Sequence, residues 1–260
     1  MDHALLQRVD ASLICIFLFI GMLIMVILGR LSGELWANED SAPKGGVETL
    51  LRTMYALFGF VLAFTFGMSG THYQNVRNAI LQEAAQVSNA ITQADLFPDT
   101  VRDDFRNDFK NYLEACIAFY DHPTDADLIP NINQQASKAA NRLWARAVQQ
   151  SKLPHTPCAT NSMISALNNM FATATTRKVL MNSRVPDPIV YMLLISALTM
   201  SFLGGITSST FHRRDYIVVI GFVLLAVTIV YLILDLGRPT TGLIRVKEAQ
   251  QAIVDLRTKL

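Results

Sequence analysis

Cysteine is scarce, at three in 260 residues, and Cys15, Cys116 and Cys158 are scattered without a Cys-x-x-Cys or Cys/His spacing. That excludes a disulfide framework and a structural zinc site as the organising principle. The five histidines, His3, His72, His122, His155 and His212, lie far apart, so no metal ligand set is expected. Charge of one sign is missing too, with 22 basic against 21 acidic residues and a net charge of +1. A nucleic-acid partner demands a dense basic face and is not expected. Gly-x-Ser-x-Gly, the P-loop, His-Glu-x-x-His and the glycine-rich dinucleotide fingerprint are all absent. No catalytic residue and no cofactor is indicated, and an enzyme is not expected.

The most informative absence is local. Ala11–Leu28, Met54–Gly70, Ile189–Ser209 and Tyr216–Leu234 contain no Lys, Arg, Asp or Glu. Each is close to the ~20 apolar residues a helix needs to cross a hydrocarbon layer roughly 30 Å thick. Hydrophobic residues make up 51% and charged residues only 17% of the chain, as a membrane protein requires. The first run exceeds the h-region of a signal peptide, and Arg8 is the only basic residue before it, so it reads as a retained helix.

Lys and Arg near the membrane ends set the orientation. Arg8, Arg77, Arg177, Lys178, Arg184, Arg238, Arg245 and Lys247 lie on the side of both termini and the long connection, against Arg30, Lys44, Arg52, Arg213 and Arg214 on the other. Eight against five places both termini in the cytoplasm, with the Arg213-Arg214 pair as the main counterweight. The expected division is 1–70 with an N-terminal segment and crossings 1 and 2, 71–188 as a helical cytoplasmic domain, 189–234 with crossings 3 and 4, and 235–260 as a tail.

The opening Met1–Asp10 is short and amphipathic and is expected along the membrane surface, and Asn38–Gly46 reads as a polar loop. After Gly70, Val76, Ile80, Ala84, Val87 and Ile91 recur at three or four residues, so the second crossing is expected to run on as one long helix. Pro98 ends it. Thr100 and Asp103 resemble a capping box for the next helix, whose stripe is Val101, Phe105, Phe109, Tyr112, Cys116 and Phe119. Two further helices follow, one carrying Ile132, Ala139, Leu143 and Ala147, the other Met163, Leu167 and Met170. Val246, Ala249, Ile253 and Leu256 mark an amphipathic piece in the tail. The expected fold is an all-α integral membrane protein with four crossings. Gly204-Gly205 in the third crossing is the one candidate break for a transporter-like helix, and no internal repeat accompanies it.

The second crossing carries two rows. Gly59, Ala63 and Gly67 are four apart and form a smooth helix-packing groove. Phe60 and Phe64 form the other row; on spacing alone they fit either an apolar pore constriction or a face against lipid or a neighbouring helix. Arg77 and Glu83, early in the long cytoplasmic helix, suit either the charge of a vestibule or a solvated surface with local pairing. Asp235 and Arg238, three apart, suit a pair that holds the tail in place, with contact to ions as the other role.

Phe60-Val61-Leu62-Ala63-Phe64 resembles the Phe-Val-Leu-Gly-Phe core of the pore-lining second helix of bestrophin channels. The likeness is closer to the bacterial bestrophin-like membrane proteins, through Phe64-Thr65-Phe66, Tyr73, Arg77, Glu83-Ala84, and Asp235-Leu236-Gly237-Arg238-Pro239 with Gly242. The resemblance implies a homo-oligomeric, pentameric channel in the bacterial inner membrane for small inorganic ions, chloride among them. Phe60 and Phe64 would then line the neck, with Ala56 one turn outward. The chain departs from animal bestrophins where Ser69-Gly70-Thr71-His72-Tyr73 replaces Arg-Trp-Trp. From Gly237 to Leu260 it also holds only Glu248 and Asp255 as acidic residues, too few for their calcium cluster. The other functional class is a non-conducting membrane scaffold or sensor whose cytoplasmic helices bind a partner protein.

Overall fold

The computed structural model describes residues 10–36, 44–122, 125, 127–153, 157–183, 186–207, 215–238 and 242–260. The expected surface segment before Asp10, most of the Asn38–Gly46 loop, Arg184, the Arg213-Arg214 pair and Pro239 lie outside these residues. Within them the structure is helical: α1 (Ala11–Trp36), α2 (Lys44–Gln93), a 3₁₀ turn (Ala94–Leu96), α3 (Asp99–Asp121), α4 (Leu128–Ser151), α5 (Pro157–Asn182), α6 (Asp187–Thr207), α7 (Asp215–Leu236), α8 (Lys247–Val254) and a final 3₁₀ turn (Asp255–Lys259). Four helices among the described residues are long and apolar enough to cross a membrane. The chain divides into two compact units, Met1–Thr71 with Val185–Gly237, and His72–Arg184 with Arg238–Leu260.

The first unit packs around Cys15, Leu18 and Met22 of α1, Leu193, Ala197 and Met200 of α6, and Val223, Ala226, Val230 and Ile233 of α7, joined by Phe58 and Leu62 of α2. Each set recurs at three or four residues, the spacing of one helix face. The outward faces are apolar as well: Phe17, Ile217 and Val218 are 70%, 73% and 72% exposed. A helix apolar all round belongs in lipid, where outward Leu and Ile cost nothing.

Because acyl chains are as apolar as the side chains, helices here must associate through close backbone approach rather than through exclusion of water. α1 and α6 do this with glycine. A Cβ at Gly29 would overlap the Phe202 carbonyl oxygen, and one at Gly205 would overlap the Val26 carbonyl oxygen. Gly204 leaves room for Tyr55, whose hydroxyl donates to the Met200 carbonyl at 2.9 Å. The Gly204-Gly205 pair therefore does not interrupt its helix: α6 runs from Asp187 to Thr207, and the pair is a contact surface.

The second unit has the core of a water-soluble helical domain, drawing on Val76, Ile80, Val87 and Ile91 of α2, Phe105, Phe109 and Leu113 of α3, Leu143 of α4, and Met163, Leu167 and Met170 of α5. Val246, Ala249, Ile253 and Leu256 of the tail are buried in the same cluster. α2 is a single helix of 50 residues, unbroken at Gly67 and Gly70. One expectation fails at the start of α3. The N-cap is Pro98, without a side-chain cap. Its carbonyl accepts from the Val101 and Arg102 amides at 3.0 and 2.9 Å. The helix begins one residue before Thr100, so Thr100 falls inside the first turn and cannot form a capping box with Asp103.

The glycine contacts make a sharp prediction. Gly205→Ala should destabilise the detergent-solubilised protein by about 1–3 kcal/mol, the usual cost of forcing a methyl into a full space. Gly221→Ala, where an added Cβ meets nothing within 4 Å, should leave the thermal midpoint unchanged or raised. Equal midpoints for the two variants would disprove the close approach.

Candidate functional site

In the first unit α2 buries Phe58, Leu62, Thr65 and Ser69, which step by four, three and four. Thr65 satisfies its own hydroxyl by donating to the Val61 carbonyl at 2.8 Å. At about 100° per residue these four form one narrow stripe, and Ala56, Phe60 and Phe64 lie on the opposite side. Phe60 and Phe64 are 68% and 61% exposed. Their rings stack with centroids 6.5 Å apart and planes 18° from parallel. The spacing of four makes the stack, and the buried stripe turns it away from the chain's own helices.

Gly59, Ala63 and Gly67 flank the phenylalanines and are also exposed, and a Cβ at Gly59 or Gly67 would meet nothing within 4 Å. Among the described residues, no helix of the same chain fills this groove.

The expected charged residues are placed apart. Arg77 is half-buried and reaches Glu248 of α8 at 3.4 Å. Glu83 is 1% exposed and lies in the core of the second unit. Its carboxylate is ion-paired with Arg177 of α5 and accepts from the Tyr112 hydroxyl at 3.2 Å. It therefore presents its charge neither to solvent nor to an open vestibule. Arg177 in turn donates to the Tyr120 hydroxyl at 3.3 Å and lies over the Phe119 and Tyr120 rings, 5.7 Å from each centroid. Asp235 is buried in the last turn of α7, and Arg238, three residues on, is half-buried. Farther along, the tail packs its apolar stripe into its unit, with Arg257 forking onto Glu114 at 2.9 and 2.5 Å and Lys259 donating to Ser88 at 2.8 Å.

Arg177 was legible only as a basic residue near a membrane end, yet it continues the buried stripe of α5, seven residues after Met170. Glu83 likewise sits between Ile80 and Val87, on the apolar face of α2. A charged residue in phase with a buried stripe was the signal to look for a partner. Burial raises the Glu83 carboxyl above its ordinary range, against the pull of Arg177 and Tyr112. It also raises the Tyr112 and Tyr120 hydroxyls and pushes the Cys116 thiol up to about 12. Arg177 stays charged, held so by these neighbours. A second buried acid, Asp108 on α3, is met by the Nε atoms of Arg142 and Arg146 at 3.1 and 3.0 Å. Among the described residues, no group of three or more His, Cys, Asp or Glu is placed to hold a metal ion.

A family model of the Bestrophin-like domain matches residues 15–251, nearly the whole chain. The chain belongs to the bestrophin-like family. Its fold is that of a bacterial bestrophin homologue from Klebsiella pneumoniae, with a TM-score of 0.67 at 15% identity over 94% of this chain and 98% of that one. A tryptophan-to-alanine variant of the Klebsiella homologue matches with a TM-score of 0.67 at 14% identity, over 96% and 99% of the two chains. An isoleucine-to-threonine variant gives 0.68 at 12% identity, over 93% and 99%. No curated protein matches the chain. This bestrophin-like chain is an integral membrane protein of all-α fold.

Two predictions follow from the buried polar groups. Glu83→Gln should cost about 3–5 kcal/mol, because it leaves the Arg177 charge buried without a counter-charge. The double change Glu83→Leu with Arg177→Met should cost much less, and denaturant unfolding of both variants would show whether the pair behaves so. For the thiols, Cys116 is buried and Cys158 exposed. A water-soluble maleimide should modify Cys158 in the folded protein and reach Cys116 only after denaturation. Peptide mass spectrometry distinguishes the two.

Proposed function

We propose that this chain is one subunit of a homo-oligomeric ion channel of the bestrophin kind, a pentamer, passing small anions such as chloride through a neck lined by Phe60 and Phe64, with Ala56 one turn outward. The observation that carries the reading is the stacked aromatic row on the side of α2 opposite its buried stripe. Aromatic rings are electron-poor at their edges, so edges turned toward an axis favour an anion over a cation. A ring of such groups is an apolar constriction that controls passage by wetting and dewetting. Gly59, Ala63 and Gly67 form the open groove into which a neighbouring copy packs.

In this reading the chain sits in the bacterial inner membrane with both termini and the 71–188 region cytoplasmic, and 1–70 and 189–234 form the membrane part. The tail, 235–260, is anchored on the cytoplasmic side, with Asp235 and Arg238 at its root. Glu83 is buried against Arg177, so of the two residues expected to charge a vestibule it is Arg77, in a solvent-exposed pair with Glu248, that can act on one. The ion gradient supplies the driving force, so neither a cofactor nor catalysis is required.

The test is flux in liposomes holding purified protein. Wild-type protein should dissipate a chloride gradient, and Phe60→Ala and Phe64→Ala should each change the rate several-fold while the particle keeps its size. A stable oligomer with no flux would refute the channel and favour the scaffold. A detergent particle of monomer or dimer size would refute the ring.

A further inference from the structure

The second unit carries an aromatic cleft that the packing of its core does not require. It lies between α4 and α5, opens to solvent and has a volume of about 350 Å³. Ser137, Ala140, Asn141 and Trp144 of α4 form one wall, and Asn168 and Phe171 of α5 form the other. The α4 residues step by three, one and three, the spacing of a single helix face. Ala140 and Phe171 rest against the core of the unit, whereas Trp144 stays outside it and is 38% exposed. The two rings stand 6.4 Å apart between centroids with their planes at 59°, so they form an open angle rather than a closed stack.

Each helix contributes one ring and one amide. Asn141 and Asn168 are both exposed, and among the described residues neither side-chain amide is hydrogen-bonded. Ser137, by contrast, is already committed to the Asn133 carbonyl at 2.8 Å. All the lining side chains are neutral. The cations nearest in sequence do not enter the cleft. Arg142 is held by Asp108, with Nε at 3.1 Å, and Lys138 lies about 100° round the helix from Ser137.

We infer that this cleft is a binding site for a small neutral aromatic molecule that carries a primary carboxamide. A flat guest between two tilted rings stacks on one and meets the other edge-on, the two arrangements aromatic pairs prefer. Its carboxamide has the same donors and acceptor as an asparagine side chain, so guest and protein amides join through paired N–H···O bonds. A carboxylate in the same place would offer acceptors alone and would lose water with no cation to meet it. The volume is at the lower end for ligand clefts and suits one ring with its substituent. The cleft lies wholly within the second unit, and the inference does not rest on the channel reading.

Benzamide is the probe. Trp36→Phe leaves Trp144 as the only tryptophan, and its emission is followed in the purified full-length protein as benzamide is added. The expected result is a saturable blue shift, half complete at or below about 1 mM, as a ligand of this size allows. Asn141→Ala and Asn168→Ala, both at exposed positions, should each weaken binding by about tenfold, the upper range for a lost hydrogen bond. Cyclohexanecarboxamide, which keeps the amide and lacks the ring, and benzoate, which keeps the ring and is charged, should each bind at least about tenfold more weakly. Saturation transfer from wild-type protein to the benzamide ring protons measures the same affinities without replacing a tryptophan.

Three results would overturn the inference. One is an intact protein that gives neither a saturable shift nor saturation transfer with benzamide. Another is an affinity unchanged in the Asn141→Ala, Asn168→Ala double variant, which reduces the cleft to a greasy surface. The last is cyclohexanecarboxamide or benzoate binding as well as benzamide. None of these outcomes bears on ion flux, so the channel reading stands or falls separately.

Discussion

The buried stripe of α2 is the constraint from which the candidate site follows. Phe58, Leu62, Thr65 and Ser69 face the chain's own helices, and a helix that turns one side inward must turn the opposite side out. Phe60 and Phe64 are consequently exposed, each stacked on the other. In water, an exposed side chain of that size forgoes about 1.5–3 kcal/mol of burial. In a bilayer or an apolar neck it forgoes little. An aromatic row set outward on a membrane helix is stable where it stands, and it is available to line something shared between copies.

The two units solve the burial problem by different physics. In the first, the solvent is as apolar as the side chains, so Gly29, Gly33 and Gly205 supply contact through close backbone approach. In the second, water drives Phe105, Phe109, Leu143 and Met170 inward, and the charges taken along must be compensated. Glu83 with Arg177, and Asp108 with two arginines, are those cases. An isolated buried charge would cost several kcal/mol, which explains why the partners arrive from different helices and why aromatic rings flank Arg177.

Much of this was legible in the chain alone. The four uncharged runs announced the four crossings, and the steps of three and four through Val76, Ile80, Val87 and Ile91 announced the long α2. Those signals are strong because they repeat over many turns, and the pressure behind them, hiding backbone from lipid and apolar side chains from water, admits few solutions. Single residues were harder. Gly204-Gly205 was a candidate break because a glycine pair weakens a helix locally, but what the pair accommodates, the Val26 carbonyl of α1 and the Tyr55 hydroxyl of α2, lies some 150 to 180 residues earlier. The capping box at Thr100 was a local pattern overruled by Pro98, whose fixed φ let the helix start sooner. The partnership of Glu83 with Arg177 joins residues on α2 and α5, and no local window contains both.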